Sequence, residues 1–214
     1  MRLDLTADEL LTTTRAVRKR LDLERPVERE VLTECIEIGL QAPSASNTQD
    51  WNWMVVTDPE RKRGLADLYR DIFEQFYVPL PIQPFEPDDP RGSRQEAVRS
   101  SAMHLAEHFH EVPALVIPLH KGRADGLDAA SAAAFWGSIL PAVWNFMLAL
   151  RARGLGSAWT TMHLYHEREA AELLGIPYDG WTQAGLFPVA YTKGTDFKPA
   201  PRIATAGLIH WDEW

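Results

Sequence analysis

The sequence predicts an α/β or α+β sandwich, in which helices cover one central sheet within a single domain of residues 1–214. Segments with the apolar spacing of helices alternate along the chain with short apolar runs typical of strands. Hydrophobic residues make up 45% of the chain, which is ordinary for a globular protein. Neither half of the chain repeats a complete pattern, so a division into two domains is not expected.

Local signals place the elements of the first half. Thr6 is a candidate N-cap for the first helix, and Pro26 precedes a second helix whose apolar residues recur on one face. An apolar run then predicts a strand, and Asp58 followed by Pro59 begins a third helix. The expected segments are a helix over 6–20, a helix from 27 to about 42, a strand over 51–58, a helix over 59–77 and a proline-rich loop over 78–92.

Apolar content distinguishes the elements of the second half. A long helix from about Ser131 to Arg153 is apolar on nearly every side, so it must be covered on all sides, and a partner subunit is a plausible cover. Short apolar runs such as ALVIPLH predict buried strands. The expected segments are helices over 93–111, 131–153 and 166–176, strands over 114–120, 154–162 and 184–192, and a final strand over 207–214.

Charge and cysteine content narrow the function classes. The formal net charge of −8 argues against general nucleic-acid binding, which depends on a basic surface. No apolar run is expected to approach the length needed to cross a bilayer, and the start MRLDLTADEL lacks the apolar region of a secretory signal. The single cysteine, Cys35, is expected to be a buried core thiol. A cytoplasmic protein without membrane or nucleic-acid partners is therefore predicted.

Two groups of basic residues stand out in this acidic chain. Arg15 and Arg18 lie in TTTRAVRKRLD, and Lys198 and Arg202 lie in FKPAPR. In a helix over 6–20, Arg15 and Arg18 would share a face, and the arginine fork suits a phosphate group. Charge alone leaves open whether the first group binds an anion or forms a solvated face, and the second group by itself resembles ordinary surface charge.

The stretch HLAEH matches the inverted zinc-peptidase pattern H-x-x-E-H. On a helix, His104 and His108 would lie on one face, where they could hold a metal ion, but a third protein ligand is not evident. A zinc-dependent hydrolase built on these two residues is therefore kept as an alternative, and no metal site is assigned. The glycine-rich dinucleotide and phosphate loops and the nucleophile elbow are missing from the sequence.

Four segments in order resemble the FMN-dependent nitroreductase family. TRAVRKR resembles its opening phosphate motif, and APSASNTQDW resembles its Ala-Pro-Ser-x-x-Asn-x-Gln-Pro-Trp loop. GLGSAWTTM resembles its strand beside the flavin, and FPVAYTKGTDFKPAPR resembles its closing segment with a phosphate-binding arginine. The resemblance covers nearly the whole chain. It implies a nitroreductase-like three-layer sandwich, with a central mixed sheet flanked by helices, in an intertwined homodimer.

The resemblance also implies a set of FMN-binding residues. The phosphate would be bound by Arg15 and Arg18, with Ala16 and Val17 between them, and by Arg202 and Lys198. The flavin ring and ribityl chain would be contacted by Pro43, Ser44 and Asn47, often from the opposite subunit, and by Trp159, Thr160 and Thr161. Thr14, Ala16 and Asp50 replace the family's Arg, Ser and Pro, so FMN affinity is expected to be modest unless Arg20 compensates.

The implied activity is reduction of flat, electron-poor acceptors by NAD(P)H in a ping-pong hydride mechanism, with nitroaromatics, quinones and enones as the acceptor classes. The cofactor carries the chemistry, so no side chain is assigned as a catalytic acid or base. An aromatic lid over the acceptor is predicted near the proline-rich loop, although core packing would explain each of its members. The predicted lid residues are Phe73, Phe76, Tyr77 and Phe85.

Other activities stay open at the level of sequence. The same resemblance suits a reductive dehalogenase or a flavin-consuming enzyme of cobalamin ligand synthesis, although no lid signature matches either. A non-catalytic flavin-binding protein is a further alternative, as is the zinc hydrolase on His104 and His108.

Overall fold

The computed structural model describes residues 2–214 and has one antiparallel sheet at its centre. Its strands are β1 (Trp51–Val56), β2 (Ala114–Lys121), β3 (Leu155–Ser157), β4 (Trp181–Gln183) and β5 (Phe187–Tyr191). The order across the sheet is β1-β2-β5-β3, and β4 pairs with the end of β2. Every strand pair in residues 2–214 is antiparallel, so the sheet is antiparallel and not the mixed sheet that the resemblance implied; a parallel contact occurs at the isolated bridge between Ala16 and Ser157.

Six α-helices surround this sheet within residues 2–214. They are α1 (Ala7–Thr13), α2 (Arg29–Gly39), α3 (Pro59–Ile72), α4 (Gln95–His108), α5 (Ala129–Ala152) and α6 (Glu167–Leu174). Because successive side chains of a strand point to opposite faces, β2 contributes to two separate cores. Leu115 and Ile117 pack with α3, α4 and α6, whereas Ala114 and Val116 pack with α2 and α5. The chain therefore forms three layers, as predicted.

Local sequence signals set several helix starts as predicted. Thr6 accepts a hydrogen bond from the Glu9 backbone N–H at 3.2 Å, and the Glu9 carboxylate accepts one from the Thr6 N–H at 2.8 Å. This reciprocal capping box satisfies donors that a helix N-terminus otherwise leaves free. Asp58 caps α3 through a single hydrogen bond, which its side chain accepts from the Arg61 N–H, and Pro59 lies in the first turn.

The prediction of a first helix over 6–20 is wrong beyond Thr13. The backbone of Thr14 is extended, and the Val17 N–H donates to the Ser157 carbonyl at 2.8 Å, so the chain runs along the edge of the sheet. Pairing with β3 satisfies these backbone groups outside a helix, and no local signal in the sequence announces it. Arg15 and Arg18 therefore do not share a helix face.

Two predicted strands also differ from the structure. The strand expected over 154–162 is limited to β3. Residues 158–162 lie outside the sheet, apart from an isolated bridge between Thr160 and Leu186. The expected final strand over 207–214 does not form, and these residues are exposed. Strand β4 was not predicted, because three residues are too few to show an alternating pattern.

The expectation that no apolar run approaches the length of a membrane span is wrong for α5. This helix has the length and apolar composition that could cross a membrane, and it is the single such helix within residues 2–214. Its residues Ile139, Val143, Phe146 and Leu150 are fully buried against α2 and the sheet. On another side of the helix, Trp144 remains 40% exposed. Cover of that side by a partner subunit stays a prediction.

Candidate functional site

A basic cavity of about 500 Å³ opens between three segments that are distant in sequence. They are the extended segment after α1, the start of α4 with the turn before it, and the closing segment after β5. Seven lining residues are basic, and the lining drawn from residues 2–214 includes no acidic side chain. The basic residues are Arg15, Arg18, Lys19, Arg20, Arg91, Arg94 and Arg202. In a chain with a net charge of −8, this concentration of basic residues makes the cavity a candidate anion site.

The extended segment holds its arginines in place through buried neighbours. Val17 and Leu21 are buried in the core and Val17 is hydrogen-bonded to β3, which leaves Arg15 and Arg18 lining the cavity. A close approach at Gly156 makes this possible, because a Cβ there would lie 2.8 Å from the Cβ of Val17. The structure therefore brings Arg15, Ala16, Val17 and Arg18 to one wall of the cavity.

Arg15 joins this wall to the closing segment. Its guanidinium donates to the carbonyls of Thr12 and Thr14 at 2.5 Å each, and to the carbonyl of Lys198 at 2.9 Å. Burial, and then the charge of Arg202, lower the pKa of Arg15. The two basic groups of the sequence therefore converge in space. Lys198 contributes its carbonyl to this contact, but it is not among the residues that line the cavity.

The basic residues of the cavity differ in how their charges are balanced. Arg20 pairs with Asp196 at 2.6 Å, and Arg91 pairs with Asp89 at 2.6 Å. Arg18 donates to the hydroxyl of Ser101 at 3.4 Å, a neutral partner on α4. Within residues 2–214, no carboxylate lies at salt-bridge distance from Arg15, Arg18, Lys19, Arg94 or Arg202. An anion bound in the cavity would meet charge that the protein itself leaves unbalanced.

Sequence reasoning missed the contribution of α4 and its preceding turn. Arg91 and Arg94 lie in the predicted loop and at the predicted helix start, where basic residues are usually solvated. Only the folding of α4 against the extended segment, through Lys19 to Ser100 at 2.7 Å, places them in the cavity. No local signal in the sequence could have identified them.

Pro43, Ser44 and Asn47 lie in a different part of the chain from the cavity. Their loop is fixed to α5, because the Ala45 N–H donates to the Ser138 hydroxyl at 2.9 Å. The loop is also strained, since Ser46, Asn47 and Gln49 have positive φ angles of 51°, 54° and 52°. Such strain often collects at functional sites, which keeps this loop a candidate contact surface. None of its residues lines the basic cavity.

Trp159, Thr160 and Thr161 follow β3 but also lie outside the cavity lining. The indole N–H of Trp159 donates to the Ala184 carbonyl at 3.3 Å, and the Thr160 hydroxyl donates to the Leu186 carbonyl. Both side-chain donors are therefore committed to the fold. Thr161 is exposed, and its side chain is free to contact a ligand.

The predicted lid residues fall into two groups. Phe73 is 2% exposed and stacks between Tyr69 and Tyr77 in the core. Its predicted role in the lid is therefore wrong, because a buried ring cannot contact a substrate. Phe76 is 52% exposed and stacks on Tyr165, with 5.4 Å between ring centroids. Phe85 is half-buried beneath the guanidinium of Arg91. Phe76 and Phe85, with half-buried Tyr77, remain available near the proline-rich loop.

The zinc alternative finds no support in the structure. His104 and His108 do lie on one face of α4, with ring centroids 4.5 Å apart. His108 bonds through Nδ1 to the Glu111 carboxylate at 2.9 Å, and burial and His108 lower the pKa of His104. The part of the chain from 2 to 214 contains no group of three or more side chains arranged to hold a metal ion.

Comparisons with known proteins identify the family to which this chain belongs. The profile of the Nitroreductase family matches residues 11–191. A nitrobenzene nitroreductase of Ectopseudomonas oleovorans is 27% identical over 200 residues, which cover 84% of each chain. The chain therefore belongs to the nitroreductase family and is an oxidoreductase, which confirms the resemblance read from its four segments.

Solved structures show the same fold at low sequence identity. An oxidized iodotyrosine deiodinase bound to FMN and 3-iodo-L-tyrosine has a TM-score of 0.74 at 22% identity, over 98% of this chain and 100% of that chain. The FMN and NADPH-dependent nitroreductase NfnB from sphigopyxis sp. strain HMH has a TM-score of 0.70 at 21% identity, with the same coverage. The predicted α+β, nitroreductase-like sandwich is confirmed.

Proposed function

We propose that this protein is an FMN-dependent oxidoreductase that uses NAD(P)H to reduce flat, electron-poor acceptors such as nitroaromatics, quinones or enones. The observation that carries the proposal is the convergence of Arg15, Arg18 and Arg202 on one cavity without acidic lining. Family membership supports the reaction class, and the FMN and NADPH named for the solved relatives support the cofactor and the donor.

The donor set of the cavity fits a phosphomonoester. A phosphate at neutral pH carries close to two negative charges, and arginine forks bind its oxygens in pairs. Burial, and then the charge of Arg202, lower the pKa of Arg15, and a bound anion would offset the repulsion between the two guanidinium groups. Arg18, held by a weak bond to Ser101, can turn to the ligand at little cost. In this role Lys198 acts through its carbonyl, by orienting Arg15.

FMN held in the cavity would supply the hydride chemistry that links NAD(P)H to the acceptor in a ping-pong cycle. The chain's own residues bind, orient and exclude water, and none is proposed as a catalytic acid or base. Basic residues around the cavity stabilise negative charge on the bound cofactor. Exposed Phe76 and half-buried Phe85 are proposed to cover a flat acceptor.

A homodimer completes this proposal. Pro43, Ser44 and Asn47 do not line the cavity of their own chain, so we propose that they reach the flavin of a partner subunit. The exposed side of α5, marked by Trp144, is the proposed contact between subunits. We propose that residues 1–214 act as one FMN-binding domain in the cytoplasm. A monomeric mass by light scattering at micromolar concentration would contradict the dimer.

Replacing Arg202 with alanine tests the phosphate site. Charge-assisted hydrogen bonds are worth about 1.5–3 kcal/mol, so R202A should weaken FMN binding about tenfold or more by fluorescence titration. Riboflavin lacks the phosphate, so its affinity should not change. The matched control is R63A, which removes an exposed arginine of α3 outside the cavity. An FMN affinity in R202A within twofold of wild type would reject the phosphate role.

A second experiment separates an enzyme from a flavin store. The yellow, FMN-loaded protein is mixed with NADH or NADPH without air, and then with a nitroaromatic, a quinone or an enone. Bleaching followed by recovery of the yellow colour is the expected result. A protein that stays yellow with both donors would be a flavin-binding protein without this activity.

A further inference from the structure

Two buried arginines stand two residues apart at the C-terminal end of α5, and they differ in whether a carboxylate balances their charge. Arg151 and Arg153 are 5% and 6% exposed. Arg153 makes a two-pronged ion pair with Glu34, at 3.0 Å from Nε and 2.6 Å from Nη2. Arg151 has no carboxylate at salt-bridge distance within residues 2–214, and its Nε and Nη1 have no hydrogen-bond partner there. The positive charge of Arg153 is therefore balanced by the Glu34 carboxylate, whereas no carboxylate of the described residues balances the charge of Arg151.

The contacts of Arg151 join the two arms of the basic cavity. Its Nη2 donates to the Thr13 hydroxyl at 3.3 Å, at the end of α1 and two residues before Arg15. The same Nη2 donates to the Thr195 carbonyl at 3.1 Å, in the closing segment that leads to Arg202. Arg151 thus touches both chain segments that carry the proposed phosphate ligands.

A shared aromatic ring links Arg151 directly to the cavity wall. Phe197 lines the cavity, and the guanidinium carbon of Arg151 lies 4.8 Å from the centre of its ring. Arg20 lies over the same ring at 4.3 Å. Burial, followed by the charges of Arg20 and Arg15, lowers the pKa of Arg151, whereas the pKa of Arg153 is raised by Glu34. Positive charge behind the wall adds to the charge within the cavity.

We propose that Arg151 is a positioning residue of the phosphate site, which ties its two arms together and lends it a buried positive charge that only a bound anion balances. The proposal rests on the proposed function for the identity of the anion. It explains an arrangement that is costly without a ligand, because an unpaired buried charge destabilises a fold more than a well-packed apolar side chain of similar size. A bound phosphate recovers part of that cost.

The proposal predicts opposite effects on stability and on binding. R151M removes the unbalanced charge while keeping the bulk, so the FMN-free protein should unfold at an equal or higher urea concentration than wild type. FMN affinity should fall roughly tenfold relative to riboflavin affinity, because only FMN carries the phosphate that senses the charge. R151K keeps the charge without the fork and should recover part of the FMN preference.

The matched control is R153M, at the C-cap residue that follows α5 and two positions from Arg151. It breaks the pair with Glu34, so it should lower the urea midpoint while leaving the ratio of FMN to riboflavin affinity at its wild-type value. The ratio of FMN affinity to riboflavin affinity in each variant tests the role of Arg151. A fall in R151M but not in R153M supports it, and an unchanged ratio in R151M overturns it, because a purely structural role would weaken both ligands equally.

Failure of the proposed function has a different signature. If wild-type protein binds neither FMN nor riboflavin, the FMN assignment fails, and inorganic phosphate then serves as the probe. Phosphate should still raise the urea midpoint of wild type by more than that of R151M. Equal protection of both proteins by phosphate would overturn the role of Arg151 independently of any flavin.

Discussion

Gly156 is the position where a single added methyl group should disturb both the fold and the cavity. A Cβ at this residue would lie 2.7 Å from Cγ2 of Thr192, and 2.8 and 2.9 Å from Cβ and Cγ2 of Val17. Both neighbours are β-branched and stiff about χ1, so they cannot rotate away easily. Gly156→Ala must therefore push the segment of Val17 away from β3.

The cost of this substitution follows from the three contacts. Overpacking of this kind costs typically about 1–3 kcal/mol, and the lower chain entropy of alanine offsets about 0.4–1 kcal/mol of it. A net loss of roughly 1–2 kcal/mol corresponds to a fall in the urea midpoint of about 0.5–1 M. Because Arg15 and Arg18 flank Val17, FMN affinity should fall as well, whereas R202A acts on the ligand contact alone.

Urea unfolding followed by tryptophan fluorescence measures the effect. The control is Gly180→Ala, since a Cβ at Gly180 meets no atom within 4 Å and the urea midpoint should stay close to that of wild type. If Gly156→Ala unfolds at the same urea concentration as this control, the close approach of the segment to β3 is not a constraint and the reasoning fails.

Two further predictions concern a buried histidine and the strained loop. His163 is fully buried, which lowers its pKa from 6.5 to about 4, so it stabilises the fold fully above pH 6.5 and loses up to about 3 kcal/mol as the pH falls towards 4. His163→Gln should therefore show a smaller loss of stability between pH 7 and pH 4.5 than wild type, and equal losses would contradict this. Ser138→Ala removes the acceptor of the Ala45 N–H and should cost about 1 kcal/mol in urea unfolding; a midpoint identical to wild type would show that the loop does not depend on this bond.

The sequence determined most of the elements because their signals are local. The capping box of Thr6 and Glu9 and the Asp58–Pro59 pair favour helix starts whatever the rest of the chain does. Their hydrogen-bond partners lie within one helical turn, so no distant residue is needed. The continuous apolar run of β2 required a sheet covered on both sides, and the one apolar face of α2 marked it as one of the covering helices. Four ordered motifs were enough to recognise the family.

Only the tertiary structure decided the ends of elements that depend on distant partners. The first helix stops at Thr13 because Val17 pairs with Ser157, about 140 residues later, and no neighbouring residue encodes that bond. The final residues 207–214 have apolar side chains but no strand beside them, so their composition alone was misleading.

The membership of the site was decided in the same way. Arg15 and Arg202 could be paired from sequence through the family motifs, but Arg94 and Arg151 carry no motif and join the cavity or its wall through α4 and α5. Hydrogen bonds within one segment join residues that are close in sequence, so they can be predicted from that segment. The electrostatic field of a cavity instead sums the charges of every segment that folds around it. For this reason the sequence was enough to predict an anion site, now proposed to bind phosphate, and only the packing of the helices decided which basic residues surround the cavity.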